Sequence, residues 1–186
     1  MRAIAKEKLL SLLLNLPAIT DKYMQQDPAY VPLVVTWLLQ GEQQLQALRL
    51  PIVGKLSGLR GLLVAIDDGY QDPAISVSSR SMRKAKRALA AHVVNQAESA
   101  IRAEIQLIDQ FFAEIIDKLS QLLAIRFAQQ QLPKSKTLSM AYVDKIWAML
   151  GEQTETLSMH RYIQAKVSLT DRRYLLQALL DNMLNN

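Results

Sequence analysis

From residue 78 to residue 131 the chain contains neither proline nor glycine. Those two residues are the usual punctuation of helices, and the stretch is rich in alanine, leucine, isoleucine and glutamine. As one helix it would run roughly 75–80 Å at about 1.5 Å per residue. Within it Ile101, Ile105, Ile108, Phe112, Ile115, Leu119 and Leu122 alternate steps of four and three, which is heptad spacing. A second line, Leu107, Phe111, Ile116 and Leu123, widens the apolar face beyond the seam of a two-stranded coiled coil. That width predicts the centre of a multi-helix bundle. The pattern thins near Ala97–Ala100, so the stretch is expected as one helix or as two with a break there.

Helical spacing covers most of the remaining chain, and no period-two pattern is sustained. Residues 3–16 predict a first helix stopped by Pro17. Thr20 or Asp21 is placed to cap a short helix ending before Asp27-Pro28. A helix over Pro32–Leu50 turns Val34, Trp37, Leu38, Leu45 and Leu48 inward. The next, from Pro51 to about Asp67, ends at the turn Asp68-Gly69, and 71–76 reads as loop. Its Gly54, Gly58, Gly61 and Ala65 share one face. Each internal glycine costs about 1 kcal/mol against alanine, so their spacing predicts a second helix crossing that face at close range. Gly54-Lys55 is no phosphate-binding loop, because the earlier glycine and the following Ser or Thr are missing.

Leu132-Pro133 and the connector Lys134-Ser135-Lys136 separate the long stretch from three shorter helices. Thr137 or Ser139 is placed to cap the first, Thr154 or Thr156 the second, and Ser168 with Asp171 has capping-box spacing for the third. The expected fold is all-α. A main bundle over 1–132 surrounds one long central helix, and a smaller helical subdomain over 133–186 is packed on it or appended to it.

Several chemistries are excluded by what the chain lacks. Without cysteine there is no disulfide, thiol nucleophile or thiolate metal site. His92 and His160 lie in different segments, outside any HExxH or ExxH pattern, and neither GxSxG nor GxGxxG occurs. Asp67, Asp68 and Asp72 lack the spacing of a calcium loop. No metal ligand, cofactor or catalytic residue is therefore assigned. The early run LLSLLLNL reads as a core helix rather than a signal peptide, since Glu7 and Asn15 interrupt the pattern and no small-residue cleavage site follows. No apolar run reaches the roughly 18 residues a bilayer-spanning helix needs. No membrane partner and a cytoplasmic location are expected.

The net charge is +5, and basic and acidic groups are mixed along most of the chain with little segregation. One segment departs from this. Arg80, Arg83, Lys84, Lys86 and Arg87 place five positive charges in eight residues with no acid among them. On a helix Arg80, Arg83, Lys84 and Arg87 gather on one side, in first turns where the macrodipole disfavours cations. Ser78, Ser79 and Ser81 add hydroxyl donors. The cluster predicts an anion contact, either nucleic-acid backbone or an acidic protein surface.

Two further patterns bear on function. Arg87-x4-His92, in the segment RALAAH, resembles the R-x4–6-H motif of HEPN-domain ribonucleases, helical bundles that pair across a dimer. The resemblance implies metal-independent RNA cleavage, with Arg87 stabilising charge at the scissile phosphate and His92 transferring protons. It covers six residues, and Ala88 stands where that family commonly carries a polar side chain. Separately, Trp147 to Gly151 followed by Thr154 to Gln164 imitates a helix-turn-helix, with Lys145, Arg161, Lys166, Arg172 and Arg173 as its cations. Glu152 and Glu155 would repel phosphate there. The expected function is a non-enzymatic binding or adaptor protein. A HEPN-like ribonuclease is the enzymatic alternative, and a structural subunit of an assembly the third. For the last, the apolar face at 101–123 offers a surface for a homodimer or hetero-complex.

Overall fold

The computed structural model describes residues 1–66, 82–129 and 138–184. Arg80, the expected turn at 68–69, the loop at 71–76 and the expected domain boundary at 132/133 lie outside them. No strand occurs among the described residues, and the fold is all-α. The helices are α1 (Arg2–Leu13), α2 (Leu16–Met24), α3 (Tyr30–Gln46), α4 (Ile52–Ala65), α5 (Met82–Gln129), α6 (Met140–Leu150), α7 (Thr154–Lys166) and α8 (Leu169–Leu184). The long stretch is one uninterrupted helix of 48 residues, with no break at Ala97–Ala100.

Helix starts follow local chemistry in part. Pro17 sits in the first turn of α2, where its missing N–H costs no helical bond. That helix therefore begins before Thr20 and Asp21, which lie inside it rather than capping it. Ser139 caps α6 by accepting from the Tyr142 N–H at 3.2 Å. Neither Thr154 nor Thr156 caps α7. The Thr156 hydroxyl is buried and donates to the Leu150 carbonyl at 2.7 Å, tying the helix start to the end of α6.

The chain divides into two compact units, and the division falls inside α5. The first comprises Ile4–Gln106. Its core is built from Leu9 and Leu12 of α1, Val34, Trp37, Leu38 and Leu45 of α3, and Leu56, Leu59 and Leu63 of α4. Leu89, Val93, Ala97 and Ile101 of α5 complete it. Each large aliphatic side chain buried in this way contributes about 1.5–3 kcal/mol. The Trp37 indole N–H donates to the Leu12 carbonyl at 3.1 Å, and Arg60 of α4 forks onto Glu42 of α3 at 2.6 and 3.2 Å.

The expected close approach at Gly54, Gly58 and Gly61 is not found among the described residues. All three are exposed, and a Cβ built on any of them would meet nothing within 4 Å. α4 buries the opposite side, through Ile52, Leu56, Leu59 and Leu63. The close approach occurs instead at Gly41 of α3, where a Cβ would stand 3.1 Å from Leu56 and 3.2 Å from Leu12.

The second unit joins Met1–Ala3 to Leu107–Asn186. Here Ile108, Phe112, Ile115, Leu119, Leu122 and Leu123 of α5 are buried with Val143, Ile146 and Leu150 of α6, Ile163 of α7, and Leu175, Leu176 and Leu180 of α8. Phe112 meets Tyr174 with ring centres 6.5 Å apart, and the Tyr162 hydroxyl donates to Glu114 at 2.6 Å. The three short helices thus draw their core from the second half of α5. Of the wide apolar face expected there, Leu107 and Ile116 stay exposed, while Phe111 lies half-buried beneath the Arg2 guanidinium, 3.6 Å from the ring centre.

Asp171 closes this unit. Its buried carboxylate accepts from the Met1 ammonium at 2.5 Å, from the Arg2 and Ala3 N–H groups at 2.8 and 2.9 Å, and from the Ser168 hydroxyl at 2.8 Å. Ser168 caps α8 as its spacing predicts, accepting from the Asp171 N–H at 3.2 Å. The carboxylate, rather than completing a capping box, satisfies the free donors at the start of α1. Burial alone would raise its pKa. The ammonium, the two backbone donors and the serine together outweigh that and hold it below the usual carboxylate range.

Candidate nucleic-acid interface

The described part of the basic cluster lies at the start of α5 in the first unit. Arg83 and Lys84 are exposed, and neither has an ion-pair partner among the described residues. From Met82 to Ala97 the helix carries no acid, the first being Glu98, which pairs with Arg102 one turn later at 2.8 Å. Two exposed cations without an ion-pair partner among the described residues create a local positive potential that an anion can relieve.

Arg87 and Lys86 are placed differently. Both are half-buried, and Lys86 is not a free cation. The Arg87 guanidinium donates to the Tyr23 carbonyl and lies 4.7 Å from the Tyr23 ring centre and 5.8 Å from that of Tyr30. A cation at the carbonyl end of α2 is favoured by the helix dipole. Arg87 therefore joins α5 to the end of α2. Tyr30 is buried behind Tyr23, ring centres 5.2 Å apart, and desolvation pushes its hydroxyl up to about 12.

His92 stands five positions from Arg87, so the two side chains point about 140° apart around the helix. The imidazole Nε2 pairs with the Gln96 amide at 2.6 Å, one turn further on. Within the chain, then, Arg87 and His92 face separate partners and do not converge on one point. An open depression along α5, lined by Asn95, Glu98, Ser99, Arg102, Ala103 and Gln106, contains the Glu98–Arg102 pair instead of converging acid–base groups. Among the described residues no three His, Asp or Glu side chains gather as a metal ion would require. None of the described helices is long and apolar enough to cross a membrane.

The helix–turn–helix of α6, Gly151 and α7 has its own packing. The Trp147 indole stacks on the His160 imidazole with centres 3.9 Å apart and planes 24° from parallel. Arg172 lies 4.3 Å from the indole centre, and Arg173 forks onto Asp144 at 2.8 and 2.6 Å. Lys166 lies 5.7 Å from the Tyr162 ring centre, so three of the five cations available to a helix-turn-helix reading make contacts within the protein. Lys145 and Arg161 remain exposed.

Tyr23 was not marked by any local pattern in the sequence. Its partner Arg87 is 64 positions away, and nothing in the surrounding residues announces that pairing. Comparison of the chain with protein-family models, curated proteins and solved structures finds no match.

Proposed function

We propose that this chain is a cytoplasmic, non-enzymatic binding protein that holds the phosphate backbone of a nucleic acid at the start of α5. The observation that carries the proposal is the state of Arg83 and Lys84, both exposed and both without a carboxylate partner among the described residues. Surface cations in folded domains are commonly interspersed with acids, as at Glu98–Arg102. Two unpaired cations followed by an acid-free run favour a partner that brings its own negative charge.

Binding rather than cleavage is favoured by the engagement of Arg87 with Tyr23 and of His92 with Gln96. The test is fluorescence anisotropy with labelled oligonucleotides across a salt series. Each phosphate contact contributes about 0.7–0.9 to the log–log slope, so Arg83→Ala with Lys84→Ala should flatten it by about 1.5. Lys145→Ala with Arg161→Ala removes the same charge from the second unit and should leave the slope unchanged. Equal loss from both pairs would reduce the effect to net charge. No binding by the wild type at low salt would turn the face toward an acidic protein surface.

A further inference from the structure

Beside the free cations lies an aromatic ring that the fold holds in place and still leaves open. Tyr23, at the end of α2, is 38% exposed, and the next residue, Met24, is 72% exposed. Tyr23 is fixed from two sides, by buried Tyr30 at 5.2 Å and by the Arg87 guanidinium at 4.7 Å, and its own carbonyl accepts from the same guanidinium. Arg83 stands one helical turn before Arg87, roughly 6 Å along the axis. Asp27, four residues after Tyr23 in the chain, is paired with Lys22 at 2.6 Å.

We infer that Tyr23 is a stacking platform for an unpaired base, and that the ligand of this face is single-stranded RNA or DNA. The inference rests on the reading that Arg83 and Lys84 hold phosphates, and it adds what lies next to them. A paired base inside a duplex offers no free face to a surface ring, whereas a strand whose bases splay outward does. Single-strand binding proteins combine a basic track with aromatic rings in this way, and stacking tolerates any sequence because every base has a π-face. The fixed orientation of the ring lowers the ordering cost of contact, and the guanidinium already lying against it adds a second planar group, a cationic one, to the platform.

The experiment measures affinities of the full chain for a labelled twelve-nucleotide oligo(U) and for a twelve-base-pair mixed-sequence duplex, at low salt and across a salt series. Tyr23→Leu keeps an apolar side chain against Tyr30 but has no π-face. It should weaken oligo(U) binding about tenfold, as loss of one base–aromatic stack does, with the salt slope unchanged and duplex affinity unchanged. Tyr23→Phe should bind as the wild type does. Thermal melts of both variants show whether the end of α2 is intact, and Tyr23→Phe keeps the ring in place if Tyr23→Leu loosens it. Oligo(U) binding by Tyr23→Leu at wild-type strength overturns the inference, as does an equal loss on duplex, or a wild type that prefers duplex. Those results leave the phosphate contacts standing provided the Arg83, Lys84 double variant still flattens the salt slope. A wild type that binds neither nucleic acid overturns both readings.

Discussion

The guanidinium of Arg87 donates to the carbonyl of Tyr23 and lies over the ring of the same residue, across 64 positions of sequence. One side chain thereby satisfies a carbonyl at the end of α2 and holds the aromatic ring beside the basic start of α5.

Arg87 should therefore behave as a structural cation. Arg87→Ala removes a charge-assisted hydrogen bond and a cation–π contact, and is expected to destabilise by about 1–3 kcal/mol. Arg83→Ala and Lys84→Ala, which remove exposed side chains without ion-pair partners among the described residues, should each change stability by less than about 0.5 kcal/mol. Urea unfolding of the three single variants checks the contrast. Equal effects would mean that the Arg87 contacts hold nothing together.

The open glycines of α4 give an unusual expectation for a core-facing helix. Alanine at Gly54, Gly58 or Gly61 meets no atom of the described residues within 4 Å. Each substitution should then stabilise by about 0.5–1 kcal/mol through helix propensity alone, raising the thermal midpoint of the isolated protein. Destabilisation at any of the three would show that the face is covered in solution. A glycine-to-alanine set, measured at several protein concentrations, distinguishes the two outcomes.

Gly151 contrasts with them. A Cβ there would stand 2.8–3.0 Å from the His160 ring, which is stacked on Trp147 and cannot simply turn aside. Gly151→Ala is expected to destabilise by about 1–3 kcal/mol through overpacking.

The same ring sets a pH dependence. Burial lowers the His160 pKa, Arg172 adds to the lowering, and a hydrogen bond to the Trp147 backbone opposes it. The folded state thus prefers the neutral imidazole, while the unfolded chain takes up a proton below about pH 6.5. Stability from this residue is complete above that pH and declines as pH falls toward the lowered folded value. His160→Phe keeps an aromatic stack without the titration, so its melting temperature should fall less between pH 7 and pH 5.5 than that of the wild type.

Asp171 acts lower on the pH scale. Its carboxylate is ionised in the fold at pH values where the unfolded group, near 3.9, is already protonated. Its contribution is present above about pH 4 and is lost as pH falls through the depressed folded value. Asp171→Asn leaves the Met1, Arg2 and Ala3 donors with a weaker acceptor and should cost about 1.5–3 kcal/mol at neutral pH. It should also flatten the acid limb of a stability–pH curve, with the effect measured by chemical unfolding between pH 3 and pH 7.

Much of the architecture was legible from local rules. The absence of proline and glycine from 78 to 131 and the regular apolar steps through Ile101–Leu122 were enough for α5, because helix continuity depends on each residue and its neighbours three and four positions away. Ser168 was legible as a cap for the same reason, its acceptor and donor being three residues apart. The two turns around Thr20 and Thr154 were less so, since Pro17 at one and the buried Thr156 hydroxyl at the other offered alternatives of similar local cost.

What lies opposite a helix face was decided only by tertiary structure. Periodicity placed Gly54, Gly58 and Gly61 on one side of α4 but could not say whether a neighbour approaches there, and the close approach came at the isolated Gly41. Charge counting likewise found five cations at 80–87 and could not divide those it counted into bound and free. That division depends on the Tyr23 carbonyl reaching Arg87, and on no described carboxylate pairing with Arg83 or Lys84. The carboxylate at 171 was read as part of a helix start, and folding brought to it the ammonium of Met1, 170 positions away. Local sequence determines which atoms of a helix point together. Which of them find partners depends on packing between segments distant in the chain, where each contact is decided by burial and by the donors and acceptors that arrive with it.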